Sequence, residues 1–481
     1  MKNNLSAYIT AITLFVAPAI PSQLLAQQPR YKLVDMGTFG GPQGYLSEES
    51  QILNNQGTVA GFLDTSTTDP NFPNFSNCFN PDCFFSHAFQ WQHGVLTDLG
   101  ALPGGGTSLV SWISDNGLIA GLSENGVTDP LTGTAEGRAV LWSNGTIINL
   151  GALPGGNESY TNAVNSAGQL IGASSNDIPD PFSLYGWGTE TRAVLWRNGT
   201  MQDLGTLGGP DAAALNLNER GQISGYSYTN STPNSSTGVP TAEPFLWERG
   251  EMKSLGGLGG TYGYTIALNN SGQAAGISNL VGDLAFHPFL WSNGTLTDLG
   301  TFGGTMGNPN YMNDAGEVVG QANYPGDVIH HAFLWKDGVL RDLGTLDKCS
   351  TAYGINSKDQ VVGASGDCGI GVHAFLWEKG KMMDLTKLIP PGVELVEAIG
   401  INDRGEIACE GRITGPSGAD SGAITGVQHA FLLIPESGEN TQTTTGATQD
   451  SSPSTGTAPL SREPGGRRRY QIPGPGTGPT N

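Results

Sequence analysis

The chain of 481 residues is short of positive charge, of cysteine and histidine, and of long apolar runs, and each shortage removes a class of function. Twenty-two Lys and Arg stand against 43 Asp and Glu, a net charge of -21. Nucleic acid is therefore excluded as an expected partner, because binding it needs cations to neutralise phosphates. The one basic cluster, Arg467, Arg468 and Arg469, lies in a Pro/Gly segment and is assigned no role. Beyond residue 20 no segment is apolar enough to span a bilayer. Seven histidines without His-x-x-x-His or Glu spacing do not make a zinc site. There is no Gly-x-Ser-x-Gly elbow, no His-Glu-x-x-His, and no Gly-rich run followed by a helix and Lys. No metal and no cofactor are expected.

What is abundant is Gly, at 72 residues, with 29 Pro against only 14% charged residues, the composition of a turn-dense all-β protein. At the start, Lys2 precedes an apolar run from Leu5 to Ile20, and Leu24-Leu25-Ala26 precedes Gln27, so residues 1–26 read as a secretory signal peptide. Pro18, Pro21 and the shortness of the run argue against a retained membrane anchor. The mature chain is thus expected to be extracellular or periplasmic, without a transmembrane anchor. Five cysteines suit that oxidising setting. Cys78 and Cys83 flank a short stretch of one inserted loop, and Cys349 and Cys368 bracket a hairpin, so each pair is a candidate disulfide. Cys409, the odd one, stands where seven other repeats have Gly, which predicts a buried, inert thiol. Residues 436–481, rich in Ser, Thr, Gly and Pro, are too poor in apolar side chains to fold and read as a disordered tail.

Between these ends, residues 27–435 carry eight copies of one pattern. A turn position recurs at Asn54, Ser114, Asn165, Asn218, Asn269, Asn313, Asn356 and Asn402, spaced by 43 residues (Asn313 to Asn356) to 60 (Asn54 to Ser114). Three residues later stands Gly in seven copies and Asp359 in the other, where a tight turn needs a positive φ. A Val-Val-Gly-like strand follows, then a third strand such as His331-Ala-Phe-Leu-Trp335, a Gly turn three residues past the Trp, and a fourth strand ending in Asp-Leu-Gly. Each copy is therefore a four-stranded antiparallel meander that must bury its faces against neighbours. The chain enters on a lone fourth strand from Tyr31 and leaves on a lone third strand from His429. Joined, these complete one module, which is what a closed β-propeller needs to remove its open edges. The expected fold is an all-β propeller of about eight four-stranded blades, with seven as the alternative.

In these residues the chain resembles the HAF family of extracellular bacterial repeat proteins, named for the His-Ala-Phe strand, over about residues 31–435. The resemblance implies bacterial origin and export, and it brings no assigned catalytic residues. Arg138, Arg192 and Glu243 replace the motif's His in three copies, which counts against an essential role for it. His87, His287, His331, His373 and His429 are expected to bond within their own blades, and each Asp-Leu-Gly Asp to tie the fourth strand to a neighbouring turn.

The first-to-second and third-to-fourth turns share one face and are short. The opposite face carries the Gly-rich fourth-to-first loops and the second-to-third loops, which range from residues 321–329 to 62–86, and such variation marks the working face. In the first of its long loops stand Phe72 and Phe75, with Phe79, Phe84 and Phe85 around the cysteine pair. In the third stand Asp177, Asp180, Phe182, Tyr185 and Trp187. Aromatics beside acids suit stacking and hydrogen bonding to a sugar or peptide, while the same residues also suit packing their own loops down. These considerations predict a secreted binding scaffold for an extracellular glycan or protein. The alternatives are an extracellular polysaccharide hydrolase or lyase, which rests on fold analogy alone, and a structural surface-layer component.

Overall fold

The computed structural model describes residues 31–47, 51–72, 78, 82–368, 371–414 and 427–436. The expected signal peptide, the tail beyond Glu436 and Phe75 lie outside them. The strands form six four-stranded antiparallel sheets and one eight-stranded sheet, which is two four-stranded units joined at a single parallel pair, Ala242 with Tyr262. Eight blades result. Blade 1 comprises Gly40–Tyr45, Val59–Thr68, Phe84–Gln92 and Val95–Asp98, and blades 2 to 7 begin at Ser108, Ser159, Ala212, Gly259, Gly307 and Cys349. Blade 8 takes its first three strands from Val393–Ile401, Ile407–Ile413 and Gln428–Pro435, and its fourth from Tyr31–Asp35, in register from Tyr31 opposite Pro435 to Asp35 opposite Phe431.

Local chemistry sets each blade. The Trp-x-x-Gly turn holds two consecutive residues at positive φ, as in His93 and Gly94 (50° and 85°) or Asp337 and Gly338 (52° and 80°). That is the two-residue hairpin whose twist matches the strands it joins, and it fixes the register of the third and fourth strands. In the Asn-x-x-Gly turn, Asn54 Oδ1 accepts from the N–H groups of Gln56 and Thr58, a pattern that Asn165, Asn218, Asn269, Asn313, Asn356 and Asn402 repeat. Asp359 takes the positive-φ site at 60°, as its short side chain allows.

The apolar layers lie between blades. The central residue of the third strand, Phe89, Val140, Val194, Phe245, Phe289, Phe333, Phe375 or Phe431, is fully buried in every copy. Burying each Phe contributes about 2–3 kcal/mol. The fourth strands of blades 1 to 6, by contrast, are largely exposed and only four residues long, which keeps the outer rim a poor template for edge pairing. The Gly of the second strand answers a close approach: a Cβ at Gly121 would sit 1.9 Å from the carbonyl of Leu109, and one at Gly172 2.0 Å from that of Tyr160. In blade 8 the first strand has an additional register shift between Leu395 and Glu397, beside Cys409's partner Ala398, and the thiol fits there fully buried. Burial pushes that thiol well above the ordinary range, so it is not a nucleophile.

Contacts run from blade to blade and return to the start. Asn54 Nδ2 donates to the carbonyl of Ser114, and the same bond links Asn165 to Asn218, Asn218 to Asn269, Asn269 to Asn313, Asn313 to Asn356, Asn356 to Asn402, and Asn402 back to Asn54. Ser114 lacks an amide, and its neighbour Asn116 supplies the link, donating from Nδ2 to the carbonyl of Ser166. All eight junctions are therefore bridged. Met36, Leu46, Ile52, Ala430 and Leu432 form one apolar cluster across the junction of blades 8 and 1.

Candidate functional site

The short-turn face is committed to this girdle of amides. A second tier lies outside it, where the residue after each Asn bonds the next blade: the N–H of Ser166 donates to Glu219, that of Glu219 to Asn270, that of Asn270 to Asp314, and that of Asp403 to Asn55.

The repeated histidines are structural. Nδ1 of His87 lies 3.0 Å from Asp98, His287 3.0 Å from Asp298, His331 3.0 Å from Asp342, and His429 2.8 Å from Asp35. His373 and Asp384 stand farther apart, at 3.7 Å. Of the three blades that depart from the motif, two keep the pair in another form, while in blade 2 Arg138 turns to Glu136 of its own strand. Arg192 binds Asp203, and in blade 4 both members change together, Ser254 donating to Glu243. The Asp also accepts the N–H two residues on, as Asp98 does from Gly100. Both expectations for these residues hold.

The long-loop face is built differently. The second-to-third connections of blades 1, 2 and 3 turn on an Asp-Pro step at Asp69, Asp129 and Asp180. The Oδ1 atom of each accepts the N–H two residues ahead, from Asn71, Leu131 and Phe182. Asn234 does the same for Ser236 in blade 4. Both candidate disulfides are present on this side, Cys78–Cys83 and Cys349–Cys368.

The candidate ligand residues divide. Phe72 is exposed at 52% and Asp177 is exposed, whereas Phe182 is only partly so. Tyr185, Trp187 and Asp180 are buried. Tyr185 and Trp187 pack with Tyr160 at ring separations of 5.1 and 6.1 Å, within a core cluster that extends to Tyr226, Tyr228, Tyr262 and Tyr264. Desolvation raises the phenol pKa of Tyr160, Tyr185, Tyr226 and Tyr262, so these groups stay neutral. This pair packs its own loop down and displays no stacking platform.

Two carboxyl pairs underlie these loops. Asp64, fully buried in the second strand of blade 1, accepts from Ser86 Oγ at 2.7 Å and from the N–H of Gln43 at 2.9 Å, and it faces Asp82 of the loop. Burial, reinforced by the facing carboxyl, holds its pKa far above the usual carboxylate range. Asp211 opens the first strand of blade 4 and faces Asp180 of blade 3, and burial pushes its pKa up to about 8. Both pairs are sealed from solvent and offer no carboxylate to a substrate. Two clefts of about 140 and 160 Å³, at the junctions of blades 1 with 2 and 4 with 5, fall short of the roughly 300–1,000 Å³ of small-molecule sites.

The feature that the sequence reading missed is apolar exposure. Of the fifteen large apolar residues exposed among the described residues, twelve lie on the long-loop face, including Phe72, Leu131, Ile178, Val281, Leu284 and Val328. The other three, Val95, Ile148 and Val339, lie on fourth strands, Val95 and Val339 at the end beside the third-to-fourth turn. Leu284 is 92% exposed and Val281 84%. The signal was in the sequence: the loop tips Val281-Gly-Asp-Leu284 and Gly326-Asp-Val-Ile329 carry apolar residues where a solvated turn would not.

No known family matches the chain, and no curated protein does. Among solved structures it is similar to the acylaminoacyl peptidase of Pyrococcus horikoshii (12% identity, 79% of this chain and 59% of that one, TM-score 0.43). It is also similar to a puromycin-hydrolyzing peptidase of Mycobacterium tuberculosis (13% identity, 79% and 62%, TM-score 0.39). A third is the gluconolactonase XC5397 of Xanthomonas campestris (13% identity, 51% and 79%, TM-score 0.26). The chain spans about three fifths of the length of the two peptidases.

Proposed function

We propose that the protein is an exported binding scaffold of the HAF-repeat kind that engages a macromolecular partner through its long-loop face. The observation that carries this reading is the segregation of exposed apolar side chains to that face. A monomeric surface scatters them singly, whereas their collection on one side marks an interaction surface. The burial of Tyr185 and Trp187 favours a protein over a stacked sugar. The two disulfides suit an extracellular or periplasmic setting.

The test is retention of the purified protein on arrays of extracellular proteins and polysaccharides. It is run beside the loop-face variant Ile178→Ser, Leu284→Ser, Val328→Ser and the short-turn control Asn144→Ser, Asn293→Ser. Loss confined to the loop-face variant supports the reading. Equal retention of both variants, or none by the parent, removes it.

A further inference from the structure

The pair Asp180 and Asp211 poses a hydrogen-bonding problem with few solutions. Asp211 is fully buried, and its two oxygens accept the main-chain N–H groups of Leu184 at 2.7 Å and Thr191 at 2.9 Å, both from blade 3. Asp180 is 6% exposed, and its Oδ1 accepts from Phe182. Its Oδ2 is sealed from solvent with no donor in reach. The group it faces is the carboxyl of Asp211. A bare oxygen anion held there against a second carboxylate is costly, but a protonated Oδ2 becomes a donor and Asp211 a fitting acceptor.

We propose that Asp180 and Asp211 share one proton, and that this proton latches the long loop of blade 3 to blade 4, so that alkaline surroundings release the loop. The other polar and charged groups around the pair leave this assignment standing. Tyr228, from the second strand of blade 4, gives its hydroxyl to the carbonyl of Phe182. Arg192, from the third strand of blade 3, donates to the carbonyl of Pro210, is bound to Asp203, and lies 3.7 Å from Glu190. Blade 1 holds a related pair with one difference: Asp82 Oδ1 accepts the N–H two residues on, from Phe84, and its carboxyl faces Asp64, but its Oδ2 already accepts from the Tyr45 hydroxyl, so no sealed bare oxygen is left there.

The direction with pH follows from which state holds the proton. In the closed loop burial pushes the Asp211 carboxyl up to about 8, whereas in an open loop that carboxyl ionises in the ordinary range, near 4. The latch is complete below that ordinary range and is lost as pH rises through about 8, the proton passing to solvent. Across that window, one proton changes the opening equilibrium by up to about tenfold per pH unit.

Hydrogen exchange of the full chain, read on the segment from 181 to 191 and corrected for intrinsic rates, tests this. Protection of that segment is expected to fall about 100-fold between about pH 5 and 7 while the fourth-strand hairpins hold theirs. Asp180→Asn places an amide donor at the sealed position permanently and should flatten the profile. A flat profile in the parent overturns the proposal whether or not the variant folds, and so does an unchanged slope in a folded variant. Millimolar calcium that restores protection at about pH 8, with loss on chelation at about pH 6, would assign the pair to a cation and overturn the shared proton.

Discussion

Asn218 allows the girdle to be separated from the turn that carries it. Its side chain is 3% exposed. Its Oδ1 accepts from the N–H groups of Arg220 and Gln222, and its Nδ2 donates to the carbonyl of Asn269 in the next blade and to Gln222 Oε1. Asn218→Ala removes all four bonds and strands buried partners. At about 1 kcal/mol per bond, this sums to roughly 3–5 kcal/mol. Asn218→Ser imitates blade 2, where Ser114 Oγ accepts the N–H of Leu118 but makes no link to blade 3. It should retain part of the turn and cost about 1–2 kcal/mol. Blade 2 makes its link from Asn116, two residues on, and the corresponding position here is Arg220. Asn218→Ser with Arg220→Asn should therefore recover about 1 kcal/mol over Asn218→Ser alone. Urea unfolding followed by tryptophan fluorescence, compared at unchanged m, reads the series. If Ser proves as damaging as Ala, or the double variant regains nothing, the amide link between blades is not a stabilising element and the reasoning fails.

Two further outcomes follow from the repeat chemistry. His331→Ala should shift stability by less than about 1 kcal/mol, because its pair with Asp342 is partly exposed, and His331→Arg should restore it in the manner of Arg192 with Asp203; thermal unfolding checks both. Cys409 should resist iodoacetamide in the native protein and react only in urea, its thiol being fully buried and held protonated, as mass spectrometry of the alkylated peptide would show.

The architecture was legible in the sequence because each blade repeats a local instruction. The positive-φ turns, the buried Phe of the third strand and the complementary end strands were all countable, and they led to eight blades with the last completed by Tyr31–Asp35. The histidine role was legible through its exceptions, since Glu243 with Ser254 changes both partners at once. What depends on one blade meeting the next was hidden. The amide of Asn218 reaches a carbonyl 51 residues away, and Asp180 finds Asp211 only when blade 4 arrives. For Tyr185 and Trp187 the sequence left stacking and loop packing both open; their loop folds inward onto Tyr160, a choice that composition does not record.

The register of the composite blade also fixes how the molecule presents itself. Tyr31 stands opposite Pro435, so the strand that enters and the strand that leaves meet at one point on the short-turn side. A third strand runs from the long-loop face toward the hairpin with the fourth, so both described ends emerge at the back of the ring, beside the girdle. Any neighbour joined to either end, whether a leader awaiting cleavage or a wall attachment, would hold the disc from behind. A fusion or an immobilising tag at either terminus should therefore leave the apolar front unobstructed, whereas one inserted at Leu284 would cover it.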